Sequence, residues 1–152
     1  MFTRMNPVEH VELSTHVHAT ESELKVVKAL LNLIPPEYRD GVSIIRSGGQ
    51  GGHFGNDINT VKIQLKGEEA LRTTQYIFRG GIDQLDSEII LVTLSSRFGD
   101  GKLYLRFNKQ LAYSGVARLD DGDDVIKVII RFNHWVIKNE GIENVIRQLI
   151  TR

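Results

Sequence analysis

Residues 102–132 read K-L-Y-L-R-F-N-K-Q-L-A-Y-S-G-V-A-R-L-D-D-G-D-D-V-I-K-V-I-I-R-F, and this stretch decides the fold class. Apolar and polar residues alternate over 102–107, and every second residue from Ile126 to Phe132 is apolar, a period of two that is typical of half-buried strands. A shorter strand is predicted at 116–119. The acidic turn D-D-G-D-D at 120–124 connects the last two strands as a hairpin. The stretch therefore predicts three consecutive strands of a mostly antiparallel sheet.

The rest of the chain alternates between strand and helix patterns. Further strands are predicted at residues 8–18, 42–46 and 58–65, and helices at 21–34, 67–79, 82–96 and 140–150. Together these elements predict one α+β domain over residues 1–152, a single mostly antiparallel sheet with helices packed on one face.

Apolar residues at helical spacing mark the face that each helix is expected to bury. These residues are Leu24, Val27, Leu31 and Ile34 in the first helix, Ile82, Leu85, Ile89 and Val92 in the third, and Ile142, Val145, Ile146 and Leu149 in the last. All of these helices should pack on the same side of the sheet, which leaves the other side open.

Composition excludes several classes of protein. The 152 residues are 41% hydrophobic and 25% charged, as in an ordinary globular protein, and no cysteine is present for disulfides or thiolate metal sites. No apolar run approaches the ~20 residues of a membrane span, and the N-terminus lacks the apolar core of a signal peptide, so we expect a cytoplasmic protein. The 19 basic and 19 acidic residues give zero net charge, so any site for a polyanion must be local.

The open side of the sheet can be inferred from strand parity. In the strand at 102–107 the apolar residues share one side, which turns Lys102, Tyr104 and Arg106 outward. The same parity in the other strands collects the outward cations Lys62, Lys102, Arg106, Arg118, Lys127 and Arg131 around Tyr104, with Glu12 as the main acidic residue. Cations that neutralise phosphates beside a ring that stacks on bases are typical of a surface that binds single-stranded RNA.

The same pattern fits two other kinds of surface. Alternating charges are normal on the solvated face of an antiparallel sheet. Val116, Val125 and Ile129 also share the outward parity, so the pattern equally fits a face that a second subunit covers in a homodimer. Strand parity leaves RNA binding, dimerisation and a plain solvated surface open.

Residues 47–57 read S-G-G-Q-G-G-H-F-G-N-D and hold five glycines, which raises the question of a phosphate-binding loop. No Lys-Ser or Lys-Thr follows them, so neither the P-loop nor the dinucleotide-binding motif fits. G-H-F-G matches the GxxG of KH domains, but that motif lies between helices rather than between strands. The loop is either a long, exposed hairpin connection or a phosphate cradle in which Arg46, His53 and Asn56 supply the contacts.

Metal and catalytic sites find little support in the sequence. His16 and His18 lie two apart on one strand, and His53 with Asp57 would complete a divalent metal site, but local sequence fixes no third ligand. The acidic turn lacks the D-x-D-x-D-G spacing of a calcium loop, and no Ser/His/Asp triad can be argued. We therefore expect no metal, no cofactor and no catalytic activity, with a metal-dependent hydrolase as the remotest alternative.

Three segments carry a resemblance: S-T-H-V-H-A-T-E with the helix that follows it, G-G-H-F-G-N, and above all L-Y-L-R-F-N-K-Q-L-A-Y-S-G-V-A-R-L-D-D-G-D-D-V-I-K-V. From about Val8 to Phe132 the chain resembles a small archaeal family of predicted RNA-binding proteins or exosome-associated subunits. The resemblance implies a fold like that of the ribosomal protein that binds 5S rRNA. It also implies that the motif positions are Arg106, Lys109, Gln110 and Tyr113, with His53, Gly55 and Asn56 in the loop.

The prediction is therefore a non-catalytic RNA-binding protein that acts beside exosome or ribosomal components. The alternative is an assembly module that forms a homodimer through the open side of the sheet. No membrane is expected as a partner. The predicted RNA-binding residues are Arg46, His53, Asn56, Lys62, Lys102, Tyr104, Arg106, Lys109, Arg118, Lys127 and Arg131.

Overall fold

The computed structural model describes residues 5–48 and 59–151, and in these ranges six strands form one sheet. The strands are β1 (Val8–Val17), β2 (Ile45–Gly48), β3 (Asn59–Lys66), β4 (Phe98–Gly99), β5 (Lys102–Asn108) and β6 (Val125–Phe132). They lie in the order β2-β3-β1-β6-β5-β4, and every neighbouring pair is antiparallel. The prediction of a single antiparallel sheet in an α+β fold is confirmed.

Seven α-helices accompany the sheet in the described ranges. They are α1 (Glu23–Leu31), α2 (Gly67–Tyr76), α3 (Gln84–Val92), α4 (Leu94–Arg97), α5 (Lys109–Tyr113), α6 (His134–Glu140) and α7 (Ile142–Ile150). A 3-10 turn at Pro36–Tyr38 follows α1, and a π-helical turn at Ile77–Gly81 ends α2. None of the helices in this part of the chain is long and apolar enough to cross a membrane.

The helices bury their apolar residues against one side of the sheet. Leu103, Leu105 and Phe107 of β5 are buried, whereas Tyr104 is 45% exposed. The buried side chains of the strands join those of the helices in one hydrophobic core. The prediction that the helices cover one side is confirmed, and we call the opposite side the open face.

The strand predicted at 116–119 does not form. The chain leaves β5 and turns into α5 because the side chain of Asn108 accepts a hydrogen bond from the Leu111 amide and caps the helix. In this segment Leu119 keeps an isolated bridge to β5, opposite Phe107. A capped helical turn therefore lies in the connection predicted at 108–115, and residues 116–119 form one bridge to β5 instead of a strand.

The loss of this strand removes one residue from the predicted open face. The Nε atom of Arg118 lies 3.6 Å from the carboxylate of Asp86, a buried residue of α3. Because α3 packs on the covered side of the sheet, the prediction that Arg118 points outward from the open face is wrong.

The stripes predicted for two helices are only partly correct. Ile34 and Ile82 are buried, and Val27 and Leu31 pack partly buried against the core. Leu24 in α1 and Leu85 and Val92 in α3 are exposed, so the predicted stripe is wrong at these positions. The residues that each helix buries instead are Val26, Ala29 and Leu30 in α1 and Asp86, Ser87 and Ile90 in α3. In α7 the predicted Val145, Ile146 and Leu149 are buried, as expected.

Candidate nucleic-acid interface

Strand register sorts the outward side chains of the open face into three rows. Antiparallel partners face each other across neighbouring strands, so each row crosses β3, β1, β6 and β5. The Ser14 row is Lys62, Ser14, Lys127 and Arg106; the Tyr104 row is Gln64, Glu12, Ile129 and Tyr104; the His10 row is Lys66, His10, Arg131 and Lys102. The Ser14 row and the His10 row each hold three Lys or Arg side chains, and the Tyr104 row lies between them.

The two cationic rows contain two like-charge pairs. Arg106 lies opposite Lys127, and Lys102 lies opposite Arg131, on the neighbouring strands β5 and β6. Directly opposed side chains have Cβ atoms about 4.5–5.5 Å apart, and like charges at this spacing destabilise a sheet. Among the residues that the structure describes, no carboxylate lies within 4.0 Å of the charged groups of Lys102, Lys127 or Arg131. The open face thus has a local excess of positive charge in a chain of zero net charge.

Glu12 balances one cation of the open face. Its carboxylate lies 3.6 Å from Lys62 Nζ and accepts a hydrogen bond of 3.2 Å from Gln64 Nε2. Both contacts lie over β1 and β3. The positive charge that has no partner is therefore concentrated over β5 and β6.

Two depressions lie at opposite ends of the open face. One, of about 320 Å³, is bordered by Ser14, His16, Thr60, Arg106, Asp123 and Lys127, and the other, of about 460 Å³, by Glu9, His10, Glu12, Lys66, Lys102, Ile129 and Arg131. The first combines hydroxyl groups with cations, the donor types that contact phosphate oxygens. Arg106 is partly engaged there, because its Nη2 donates to the Gly122 carbonyl of the acidic turn at 2.5 Å.

Tyr104 presents an aromatic ring on the open face. It is 45% exposed, and Lys102 and Arg106 flank it on the same side of β5. Ile129 lies opposite it on β6. An exposed ring beside an apolar side chain and two cations offers a surface on which a nucleic-acid base can stack.

Lys109 lies inside the protein, which conflicts with the expectation that its charge is offered to RNA. Its side chain is 3% exposed, and its ammonium lies 2.9 Å from the His16 carbonyl, 3.0 Å from Glu21 Oε1 and 2.7 Å from Asp124 Oδ1. Three acceptors match the three N–H donors of an ammonium group. The hydrogen bond from Lys109 lowers the pKa of the Asp124 carboxyl, against the opposing effect of burial, and a hydrogen bond from Gln110 lowers it further.

The neighbouring motif positions are also engaged within the protein. Gln110 Nε2 donates to Asp124 Oδ2 at 3.3 Å. The ring of Tyr113 lies 5.7 Å from the ammonium of Lys25 and 5.3 Å from that of Lys28, both on α1. The N-K-Q-L-A-Y segment therefore ties α5 to α1 and to the acidic turn rather than contributing these side chains to the open face.

One group of potential metal ligands occurs in the described ranges. His18, Glu21 and Asp124 place their ligand atoms within 4.8 Å of one another. The Lys109 ammonium contacts both carboxylates, so a cation of the protein already binds this group. His16, the expected partner of His18, has its Nδ1 3.2 Å from the hydroxyl of Thr60. This arrangement fits a buried ion pair better than a metal site.

Arg46 points to the covered side of the sheet. On β2 it lies opposite Val61, a core residue, and its Nε donates to Glu23 of α1 at 3.1 Å. The glycine-rich segment joins β2 to β3, which pair antiparallel, and residues 49–58 lie outside the described part of the chain. Its predicted contact residues His53 and Asn56 fall outside the described residues.

Several residues of the open face were not among the predicted RNA-binding residues. Lys66 and His10 complete the His10 row, and Ser14 and Thr60 add hydroxyl groups beside the cations. Each shares the strand parity of a residue that was identified, Glu12 in β1 or Lys62 in β3. Their signal was therefore present in the alternation, but their neighbours across the sheet follow only from the register.

Comparison with known proteins identifies the family. The model of a family described as RNA binding matches residues 10–132. An uncharacterised protein of Methanocaldococcus jannaschii is 35% identical over 138 residues, covering 86% of this chain and 88% of that protein. A protein of Pyrococcus abyssi named as RNA-binding is 29% identical over 140 residues, covering 91% of each chain.

Solved structures agree with the sequence comparison. A DUF54 protein from Sulfolobus solfataricus superposes with a TM-score of 0.76 at 30% identity, covering 93% of this chain and 96% of that one. A DUF54 protein from Methanothermobacter thermautotrophicus gives a TM-score of 0.69 at 29% identity, covering 95% and 98%. The family resemblance predicted from the sequence is confirmed, and the chain belongs to this archaeal family described as RNA binding.

Proposed function

We propose that this protein binds RNA through the open face, and the two like-charge pairs across β5 and β6 are the observation that carries the proposal. Opposed cations destabilise a sheet unless an anion lies near them. In the described residues no carboxylate neutralises Lys102, Lys127 or Arg131. Phosphate groups of RNA would supply the missing negative charge and release their own counterions on binding.

The same charges argue against the alternative of a homodimer. A two-fold symmetric dimer places the same patch of both subunits in contact. Pairing two open faces would bring the cationic rows of one copy against those of the other. The apolar content available for such an interface is small, because Val125 is buried and Val116 lies outside the strands, which leaves Ile129 and part of Tyr104.

The salt dependence of binding tests the proposal. For a labelled single-stranded RNA, log K should fall linearly with log salt, and Lys127→Gln and Arg131→Gln should each lower the slope by about 0.7. Arg72→Gln and Arg147→Gln are matched controls, because both residues are exposed on helices and each pairs with a glutamate one turn away. Binding that ignores salt, or equal losses from all four variants, would refute a role for the open face.

We also propose, from the family resemblance, that the protein binds RNA beside exosome or ribosomal components and has no catalytic activity of its own. Purification of the tagged protein from archaeal cells at low salt, with and without ribonuclease, tests the first part. Ribosomal or exosome subunits retained after ribonuclease treatment would support a direct contact. An RNA that is shortened or modified by the purified protein would contradict the second part.

The glycine-rich loop remains a proposed second contact. The segment is followed by β3, in which Thr60, at the edge of one depression, lies two residues before Lys62. We propose that His53 and Asn56 donate hydrogen bonds to the RNA backbone there. Replacing Gly52 and Gly55 with alanine should weaken RNA binding without lowering the melting temperature. Lower stability with intact binding would mean that the glycines serve a structural turn.

A further inference from the structure

We propose that the open face accommodates a single-stranded RNA segment laid along β5 and β6, with one base stacked on Tyr104 and phosphates at the rows on either side. This inference rests on the proposed RNA binding and specifies the form of the ligand. It follows from three features of the described residues: the spacing of the cationic rows, the accessibility of the ring between them, and the side of the face that carries uncompensated charge.

The spacing of the rows suits a strand that runs parallel to β5. Lys102 and Arg106 are four residues apart on one strand, and a rise of about 3.3 Å per residue separates the two rows by about 13 Å. Lys127 and Arg131 repeat this spacing on β6. A backbone that follows the strands would meet a pair of cations, then the Tyr104 row, then a second pair of cations.

The ring of Tyr104 selects for an unpaired base. It lies midway between Lys102 and Arg106, and its 45% exposure leaves ring surface accessible. A base must leave its own stack to lie flat on a tyrosine. A single strand can do this readily, whereas a duplex must break a base pair and its stacking first. Two cationic rows without an exposed ring would fit any polyanion, so the ring is what narrows the ligand to a single strand.

The distribution of carboxylates favours binding of the RNA strand over β5 and β6 rather than over β1 and β3. Glu12 pairs with Lys62 on the β1 and β3 side of the face, where Lys66 is the other Lys or Arg side chain of the rows. The four cations of β5 and β6 contact no carboxylate within 4.0 Å in the described chain. Arg106 is held by a carbonyl, which leaves its charge uncompensated.

One RNA strand, measured alone and annealed to its complement, tests the inference. The single strand should bind more tightly, and Tyr104→Leu should lower its affinity by roughly 5- to 150-fold, the range expected for loss of one stacked base, while duplex binding stays unchanged. Tyr104→Phe keeps the ring and should retain the affinity. Trp135→Leu is a control for loss of an exposed aromatic side chain, because Trp135 is exposed on α6, outside the three rows.

A series of oligonucleotides from about 2 to about 16 nucleotides tests the spacing of the rows. An oligonucleotide too short to reach both rows can bind at either one, so each single variant, Lys127→Gln or Arg131→Gln, leaves the other row able to bind it. The double variant weakens both rows and should therefore lose more affinity than the two single variants combined. For longer strands that contact both rows, the losses should add.

The possible results separate this inference from the function on which it rests. Equal affinity for single strand and duplex, with Tyr104→Leu silent in a protein that melts normally, would overturn the stacked-strand arrangement. If Lys127→Gln still lowered the salt slope in that case, RNA binding by the open face would stand. Absence of salt-dependent binding to either form would overturn both.

Discussion

Replacing Lys109 with methionine is expected to destabilise the protein while leaving RNA affinity and its salt dependence unchanged. Methionine keeps most of the apolar stem of lysine and removes the ammonium. The His16 carbonyl and the carboxylates of Glu21 and Asp124 then lose their shared donor. These acceptors lie on β1, on the segment before α1 and before β6, so one substitution affects three parts of the chain.

The magnitude follows from the burial of the partners. Removing one member of a buried ion pair destabilises a protein by about 3–5 kcal/mol, because the other charge stays buried without compensation. Glu21 and Asp124 are 20% and 47% exposed, so water can replace part of the lost interaction, and we expect about 2–4 kcal/mol. For a chain of 152 residues this corresponds to a melting temperature lower by roughly 4–16 °C.

Urea unfolding measures the loss of stability, and RNA binding at several salt concentrations is measured at a temperature at which the variant is folded. Lys109→Arg keeps the charge but places a larger, planar group in the same site, so its stability should be intermediate. A methionine variant as stable as the parent, with a salt slope lower by about 0.7, would mean that Lys109 contacts a phosphate. That result would refute the buried ion pair as the role of this residue.

Two further predictions concern charge and stability. Asp124→Asn should lower stability near pH 7 and lower it less at a pH well below 3.8. A carboxyl group with a lowered pKa contributes its full stability above its ordinary value of 3.8, and the contribution is lost as the pH falls through the lowered value. Urea unfolding at both pH values checks this, and equal destabilisation at both would show that the charge is irrelevant. Lys127→Gln should raise the free energy of unfolding without RNA by about 0.2–1 kcal/mol, because it relieves repulsion with Arg106, while it weakens RNA binding. A variant that loses both stability and affinity would contradict the repulsive pair.

Strand periodicity predicted the open face because the side-chain period of a strand is two and depends on local sequence alone. Lys102, Tyr104 and Arg106 were assigned to the correct side for this reason. The sequence alone could not predict that Lys102 lies opposite Arg131, because this pairing depends on the register between β5 and β6. Register arises from packing across the whole sheet, so the like-charge pairs emerge only in the folded chain.

The incorrect predictions have a common physical origin in nonlocal contacts. α1 contains two apolar stripes, one with Leu24 and one with Val26 and Leu30. The second stripe is the one that the helix buries in the core, and Leu24 stays exposed. Lys109 lies in an ordinary polar segment, and its burial depends on Glu21, 88 residues away in sequence. A long flexible side chain leaves no periodic signal of the direction in which it points.

The one-sided core also affects how the open face can change through evolution. The strands β1, β3, β5 and β6 turn alternate residues into the core, and most of the residues between them contact solvent. A substitution on the open face opens no cavity and overpacks no neighbour, so stability restrains it weakly. The outward positions can therefore diverge while the backbone stays the same. Relatives that superpose closely are therefore free to differ in the ligand that they select, and similarity of fold is a poor guide to that ligand.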